Sequence, residues 1–217
     1  MSTKKRVTKP KEERRKEILA AAKELFAEKG YEATAVSDIV AQVGVAQGTF
    51  YLYFPSKRAV ALALLEETVN EVVTALVEIT PRFSRQQFYP MSGIEQLVRK
   101  VFDIFARDQD VIKLTHLQMA GEGYHQDEAR PILQEVVETV KQVLAAGMSQ
   151  GFFDRSLDPL ISATLIVGLL ENAAPYCFLW GVPAEAESFV STTVRFVQKI
   201  LSPTGQTGTP VGEAAPF

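Results

Sequence analysis

The spacing of apolar residues is the feature that most constrains the fold of this chain. Apolar side chains recur every three or four positions through most of the sequence, which is the pattern of one face of an α-helix. No segment shows the sustained alternation of polar and apolar residues that is typical of a half-buried β-strand. In a first predicted helix, over residues 11–29, the apolar face consists of Ile18, Ala22, Leu25 and Phe26. The sequence therefore predicts an all-α fold of about nine helices.

Short polar residues, glycines and prolines predict where these helices begin and end. Residues that favour N-caps precede three of them: Thr34 or Ser37 for the second helix, Ser56 for a long fourth helix, and Asp158, followed by Pro159, for an apolar helix over about 158–180. Gly30 and Gly44 are expected to end the first two helices. Pro175 is expected to kink the helix of 158–180, because it cannot donate to the carbonyl of Glu171. The remaining predicted segments are a third helix that ends at Pro55, a loop over 81–90, a fifth helix around 94–105, a short helix around 109–119, a break over 121–131 before a helix that Gly151 ends, a last helix over 184–201, and a disordered tail over 202–217.

Positive charge is concentrated near the N-terminus. Residues 1–60 contain 12 Lys or Arg and 7 Asp or Glu, a net charge of +5, whereas the remainder contains 11 and 19, a net charge of −8. This asymmetry favours a nucleic-acid surface in the basic part, with a solvated basic tail as the alternative. The longest apolar run, over 160–170, is shorter than the ~20 residues that span a bilayer, and a single cysteine provides no disulfide framework. We therefore expect a cytoplasmic protein with no membrane segment.

Two short helices separated by Gly44 predict a helix-turn-helix, whose second helix is rich in aromatic residues. Phe50 and Phe54 are assigned to the core of this motif. Side chains that point away from that core could reach base edges, sugars and phosphates of duplex DNA. The predicted DNA-binding residues are Thr34, Ser37, Ala46, Gln47, Gly48, Thr49, Tyr51, Tyr53 and Lys57. Gln47 has the chemistry to pair with an adenine edge, and Lys57 lies in the first turn of the fourth helix, where it would hold a phosphate together with free backbone N–H groups.

Residues 18–65 resemble the TetR family of bacterial transcriptional regulators. The resemblance is carried by "ELFAEKGYEAT", "DIVAQVGV" and "GTFYLYFPSK" at the spacing of the three-helix domain of that family. Two positions depart from the family pattern. Val40 stands where the family usually has alanine, and Ala46 stands where a serine often caps the recognition helix. Alanine is a poorer N-cap than serine by about 1 kcal/mol.

The resemblance implies a ligand-responsive regulator, most often a repressor, that binds a palindromic operator as a homodimer and requires no cofactor. Residues 1–56 would form the basic arm and DNA-binding domain, 57–201 the effector-binding and dimerisation domain, and 202–217 the tail. The last two helices have more apolar surface than one subunit buries, so they are expected to pair with their copies. A small apolar effector is expected in the C-terminal core. Its candidate lining residues are Phe102, Phe105, Met119, Tyr124, Asn172 and Tyr176. Glu171 and Asn172 interrupt an apolar helix, and they are expected either to orient the effector or to lie at the dimer interface.

Two other classes of protein remain open from the residues alone. His116 and His125, with acidic neighbours, could serve a helical metal- or ligand-dependent enzyme, but they lack the spacing of the HExxH motif. A helical adaptor that binds another protein would fit the composition. It would leave the aromatic stretch at 50–54 and the basic first quarter without a role, so a non-enzymatic regulator is the favoured interpretation.

Overall fold

Nine α-helices and no β-strand form the parts of the chain that the computed structural model describes, which are residues 10–79, 90–113, 126–177 and 186–203. The helices are α1 (Lys11–Lys29), α2 (Val36–Val43), α3 (Gln47–Tyr51), α4 (Lys57–Ile79), α5 (Pro90–Arg107), α6 (Gln109–Lys113), α7 (Gln126–Ser149), α8 (Pro159–Pro175) and α9 (Ala186–Leu201). The predicted all-α fold is confirmed. The predictions for 81–89, 114–125, 178–185 and 204–217, which include both histidines and most of the tail, lie outside the described residues.

The structure confirms several predicted helix boundaries. These boundaries could be predicted because each depends on residues close together in the sequence. The carboxylate of Asp158 accepts a hydrogen bond from the backbone N–H of Ile161 (2.9 Å), and the hydroxyl of Ser56 accepts one from the backbone N–H of Ala59 (3.1 Å). Gly44 ends α2 in the left-handed conformation (φ 73°, ψ 38°), which glycine adopts without the strain that a side chain would bring.

Other predicted boundaries are wrong. The N-cap of α2 is Ala35, and neither Thr34 nor Ser37 caps this helix. The carboxylate of Asp38 accepts from the backbone N–H of Ala35 instead (3.0 Å). At the next helix, α3 ends at Tyr51, before the residues that were expected to complete it.

Two prolines in the C-terminal half lie where the observed helices can be compared with the predicted ones. Pro131 lies inside α7, which begins at Gln126 rather than after the predicted break. It lies beyond the first turn, where proline is best tolerated, so its missing N–H costs α7 one backbone hydrogen bond. Pro175 is the last residue of α8, and Tyr176 after it still has a helical conformation. Residues 178–180 lie outside the described residues, so the kink at Pro175 in a helix over 158–180 stays a prediction. The backbone N–H of Tyr176 then bonds to the carbonyls of Ala173 and Asn172.

The helices pack around two apolar cores. The N-terminal core is formed by α1, α2, α3 and the first half of α4, together with Val111 of α6 and Ala129 of α7. The C-terminal core is formed by the second half of α4 with α5, α7, α8 and α9. Within the C-terminal part, α7 packs against both α4 and α8, and α5 packs against α9. Because α4 contributes to both cores, it is a continuous mechanical connection between them. Among the described helices, none has the length and apolar character needed to cross a membrane.

A buried carboxylate joins α1, α4 and α5 between the two cores. Asp108, which directly follows α5, accepts hydrogen bonds from Lys23 Nζ of α1 (2.6 Å), Arg107 Nη2 (2.7 Å) and Thr68 Oγ1 of α4 (3.2 Å). Arg107 also pairs with Glu71 of α4 (2.8 Å). A buried carboxylate is stable only when such donors replace its lost hydration, so these contacts fix the angle between the N-terminal helices and α5.

Acid should weaken the fold through Asp108. Burial alone would raise the pKa of this carboxyl, but the hydrogen bonds from Arg107 and Lys23 outweigh burial and hold the pKa below its ordinary value of 3.8. A pKa that is lower in the folded state gives stability that is complete above about pH 4 and is lost as the pH falls through the folded-state pKa. We expect Asp108→Asn to lower the free energy of unfolding at pH 7 by about 1.5–3 kcal/mol and to flatten its decline below pH 4. Urea unfolding at a series of pH values measures both effects.

The matched control for this prediction is Asp103→Asn, which removes the same charge from an exposed position of α5. It should leave the acid-dependent part of the unfolding free energy as in the wild type. Identical pH profiles for the two variants would contradict the role assigned to Asp108.

Candidate nucleic-acid interface and ligand cavity

The aromatic stretch after Gly44 divides into a buried side and an exposed side. Phe50 is 0 % exposed and packs against Phe54, with 6.0 Å between ring centroids. On the other side of α3, the ring of Tyr51 meets the edge of Phe50 at 5.4 Å, yet Tyr51 is 52 % exposed. Phe50 therefore anchors α3 in the N-terminal core, and Tyr51 remains at the surface.

The surface around α3 contains most of the predicted DNA-binding residues. Ala46, Gln47 and Gly48 are exposed at the start of the helix, and Thr49 and Tyr53 are partly exposed. Ser37 is exposed in the first turn of α2. Leu52, which was not among the predicted contact residues, is one of the most exposed apolar residues that the structure describes. Its position directly after Tyr51 could have indicated a DNA contact, because an apolar side chain next to the recognition helix can reach thymine methyls.

Gly48 lies in α3 without a packing reason inside the chain. A Cβ atom built at this position would meet no heavy atom within 4 Å. Glycine in a helix is less favourable than alanine by roughly 0.5–1 kcal/mol, so its presence here is not explained by the stability of the fold. An approaching DNA backbone would explain it, because glycine allows the closest contact.

Two predicted contact residues have other roles in the structure. Thr34 is only 1 % exposed, and its hydroxyl donates a hydrogen bond to the carbonyl of Gly30 (2.7 Å). This burial removes Thr34 from the surface that DNA could reach, and its side chain stabilises the turn between α1 and α2.

Lys57 donates to the carbonyl of Tyr31 (2.7 Å), and its Nζ lies 4.1 Å from the centroid of the Tyr31 ring. The ammonium of Lys57 has three N–H groups, so it could still donate to a phosphate.

An apolar cavity of about 140 Å³ lies inside the C-terminal core. Its walls come from α4, α5, α6, α7, α8 and α9, with side chains that include Val72, Leu76, Ile94, Val98, Phe105 and Leu144. A single buried water needs about 10–15 Å³ by this measure, so the cavity has room for on the order of ten non-hydrogen atoms. The space is suited to a small apolar molecule.

The structure separates the residues that were predicted to line an effector site. Phe105 lines the cavity, whereas Phe102 is buried in the same core without lining it. Asn172 and Tyr176 lie on the opposite, outer side of α8, where the side-chain amide of Asn172 donates to the carbonyl of Gly168 (2.7 Å). Met119 and Tyr124 are outside the described residues. Most of the lining consists of aliphatic residues that the sequence did not distinguish from ordinary core.

Glu171 and Asn172 were considered together in the sequence, but α8 directs them to different sides. Glu171 lines the cavity, and burial raises the pKa of its carboxyl above the ordinary value. Among the described lining residues it is the only charged one.

The outer side of α8 and α9 exposes apolar residues. Ile161 and Leu165 of α8 and Phe196 and Ile200 of α9 are all exposed, and the ring of Tyr176 stacks near that of Phe189 with 5.3 Å between centroids. An apolar surface of this kind on a folded chain is typical of a protein–protein contact.

Two observations bear on the enzymatic alternative in the part of the chain that the structure describes. No group of three His, Cys, Asp or Glu residues there is arranged to hold a metal ion. Cys177 is buried in the C-terminal core, and burial raises the pKa of its thiol. It therefore has the character of an unreactive core residue.

Comparison with known proteins agrees with these features. Residues 18–64 match the family profile "Bacterial regulatory proteins, tetR family", and residues 90–173 match "Tetracyclin repressor-like, C-terminal domain". The HTH-type transcriptional regulator YvdT of Bacillus subtilis (strain 168) is 30% identical over 157 residues, which are 72% of this chain and 78% of that protein. The fatty acid metabolism regulator protein of the same organism is 26% identical over 157 residues, which are 72% of this chain and 79% of that protein.

A solved structure extends the similarity to the fold. The transcriptional regulator FadR from Bacillus subtilis, in complex with stearoyl-CoA, superposes with a TM-score of 0.65 at 23% identity, covering 82% of this chain and 97% of that one. With the exposed recognition helix, the two-core architecture and both family profiles in agreement, the chain belongs to the TetR family of bacterial transcriptional regulators.

Proposed function

We propose that this DNA-binding regulator is a homodimeric repressor that binds a palindromic operator through α3 and leaves it when a small apolar effector occupies the cavity. The observation that carries the proposal is the arrangement of α8. One side of this helix lines the cavity with Ile166, Val167, Leu170 and Glu171, and the other side exposes Ile161 and Leu165. A ligand in the cavity would therefore press on the helix that we assign to the dimer contact.

The DNA contacts follow from the exposed side of α3. Gln47 would read a base edge in the major groove, and Thr49, Tyr51 and Tyr53 would contact sugars, phosphates or thymine methyls. Lys57 would add a phosphate contact at the start of α4. Ser37, Ala46 and Gly48 would lie against the backbone of the DNA, and Thr34 is no longer among the contacts that we propose.

Dimerisation would make this small surface selective. A single helix-turn-helix reads few base pairs, and a two-fold dimer doubles them at a spacing of about one helical turn. The exposed apolar residues of α8 and α9 would then be buried against the same residues of a second copy, as a two-fold contact requires.

Helix α4 is the element that would transmit the presence of the effector. It begins at Lys57 beside the recognition helix, and further along it lines the cavity with Leu65, Val69 and Val72. We propose that the boundary between the DNA-binding and effector-binding parts lies between residues 56 and 57, where α4 begins. Because α4 belongs to both cores, this boundary does not separate two independent packing units. An effector would bind more tightly to the dimer whose α3 helices are wrongly spaced for the operator, and that difference in affinity would shift the equilibrium.

The apolar walls of the cavity support an apolar effector. The complex of Bacillus subtilis FadR with stearoyl-CoA indicates that a related fold accommodates an acyl chain. The volume of about 140 Å³ in this chain suits a shorter ligand.

Selection of an operator from genomic DNA, followed by binding measurements over a range of salt concentrations, tests the proposal. The logarithm of the binding constant should fall linearly with the logarithm of the salt concentration, by about 0.9 for each phosphate contact. The wild-type chain should bind the selected operator more tightly than a duplex in which the base pair contacted by Gln47 is changed. Gln47→Ala should reduce this ratio of affinities by about 5- to 150-fold, because a bidentate contact contributes roughly 1–3 kcal/mol of discrimination between bases. Fluorescence anisotropy with labelled duplexes provides these constants.

Gln134→Ala is the matched control, since Gln134 is an exposed glutamine on α7, a helix of the C-terminal core. It should leave both affinity and base preference unchanged. A wild-type chain that bound no duplex at low salt, or bound every duplex equally, would rule out the proposed function.

A further inference from the structure

Glu171 is the one acidic side chain among the described residues that line the apolar cavity, and we propose that the effector carries a protonated amine or another cationic nitrogen that pairs with this carboxylate. The inference rests on the proposed function, because it names the chemistry of the ligand that the same cavity would bind. A carboxylate at this position would distinguish between ligands that have the same apolar chain but differ in the charge of their polar group.

The polar groups in the cavity are few. Among the described lining residues, the only ones with polar side chains are Thr68 and Glu171. The hydroxyl of Thr68 is already engaged, because it lies 3.3 Å from the carbonyl of Leu64 and 3.2 Å from the carboxylate of Asp108. Glu171 has no hydrogen-bond or ion-pair partner among the residues that the structure describes. A ligand would therefore find a single carboxyl group available on otherwise aliphatic and aromatic walls.

The environment of Glu171 makes this carboxyl sensitive to the charge of a ligand. Burial without a donor among the described residues raises its pKa, because the apolar surroundings disfavour the ionised form. A cationic nitrogen would remove that penalty, since a charge-assisted hydrogen bond in an apolar setting is about twice as strong as a neutral one. A ligand carboxylate would instead place two anions next to each other, and an alcohol would contribute one neutral hydrogen bond.

The position of Glu171 on α8 connects this recognition to the dimer. The next residue, Asn172, is exposed on the outer side of the helix with Leu165 and Tyr176. An ion pair at Glu171 would hold a ligand against the inner side of the helix whose outer side we assign to the partner subunit. The cation would therefore contribute to the affinity for the ligand and to its effect on dimer geometry.

Three probes of equal chain length test the proposal on the full chain: octylamine, octan-1-ol and octanoate. Each has about ten non-hydrogen atoms, which matches the volume of the cavity. Isothermal titration calorimetry at neutral pH should show that octylamine binds at least about 10-fold more tightly than either of the others. Glu171→Gln should lower the affinity for octylamine by about 10- to 100-fold and bring it close to that of octan-1-ol.

Glu135→Gln is the matched control, because it removes one carboxylate from an exposed position on α7. It should retain the preference for octylamine. Thermal unfolding of both variants shows whether they are folded, and the comparison of the three probes on the wild type does not depend on any variant. Equal binding of octan-1-ol or octanoate, absence of binding by octylamine, or a preference for octylamine that survives Glu171→Gln would each overturn the inference.

Operator release separates failure of this inference from failure of the proposed function. If octan-1-ol releases the operator as effectively as octylamine, the cavity is a regulatory site but Glu171 does not select a cation. If the wild-type chain does not bind an operator in the absence of any probe, the proposed function itself is wrong, whatever the calorimetry shows.

Discussion

Replacing Phe50 with alanine should unfold the N-terminal core, whereas replacing the adjacent Tyr51 should weaken operator binding without unfolding it. Phe50 is 0 % exposed, and truncation of a buried phenylalanine lowers the free energy of unfolding by about 3–5 kcal/mol. That is a large part of the roughly 5–15 kcal/mol that stabilises an ordinary domain. We expect Phe50→Ala to lose DNA binding together with much of its helical circular dichroism signal, or to melt at a far lower temperature.

Tyr51→Ala is the counterpart, since its side chain is 52 % exposed and its ring makes an edge contact with the ring of Phe50. The loss of this ring contact should lower the free energy of unfolding by no more than about 1 kcal/mol. Loss of a contact with a charged phosphate should weaken operator binding by about 10- to 100-fold. Thermal unfolding and anisotropy on the same samples distinguish the two variants. A stable Phe50→Ala variant that bound the operator normally would show that the buried and exposed sides of α3 are wrongly assigned.

Replacing Leu165 with glutamate should convert the proposed dimer to a monomer and lower operator affinity by about 100-fold or more. Leu165 is 68 % exposed on the side of α8 that we assign to the partner. In a two-fold contact each substitution occurs twice, so the variant would bring two carboxylates into an apolar interface. Each half-site would then be bound separately, and the gain of 10²–10⁴ that two linked contacts usually provide would be lost. Sedimentation velocity reports the oligomeric state, and anisotropy reports the affinity.

The control for this variant is Val77→Glu, which places the same charge on another exposed aliphatic position, 54 % exposed, on α4. It should remain dimeric and bind the operator as the wild type does. A Leu165→Glu protein that was still dimeric would move the interface to another surface.

The family and the DNA-binding motif could be predicted from the sequence because their signals are local. The left-handed residue Gly44 and the caps at Ser56 and Asp158 depend on backbone groups within a few positions along the chain. The assignment of Phe50 and Phe54 to the core follows from their apolar character and their spacing in the sequence, although Phe54 lies beyond the end of α3. These features determined the all-α class, the helix-turn-helix and the side of α3 that faces outward.

Only the tertiary structure decided which surfaces the other polar residues reach. Thr34 and Ser37 are both small hydroxyl residues near the start of α2. Thr34 is buried and donates a hydrogen bond to the carbonyl of Gly30, whereas Ser37 is exposed. The ammonium of Lys57 meets the carbonyl of Tyr31, 26 residues away in sequence. No local pattern specifies a contact at that separation.

The division of α8 into two functional sides has the same origin. Neighbouring residues on a helix point about 100° apart, so Glu171 and Asn172 necessarily face different directions. Which direction faces the cavity depends on how α7 packs against α8 and on where α4 and α5 place the opposite walls. The sequence by itself determined that a polar pair interrupts an apolar helix. The packing of distant helices decided that one member of the pair lies in the cavity and the other on the outer surface, because the walls of a cavity are assembled from residues that are far apart in the chain.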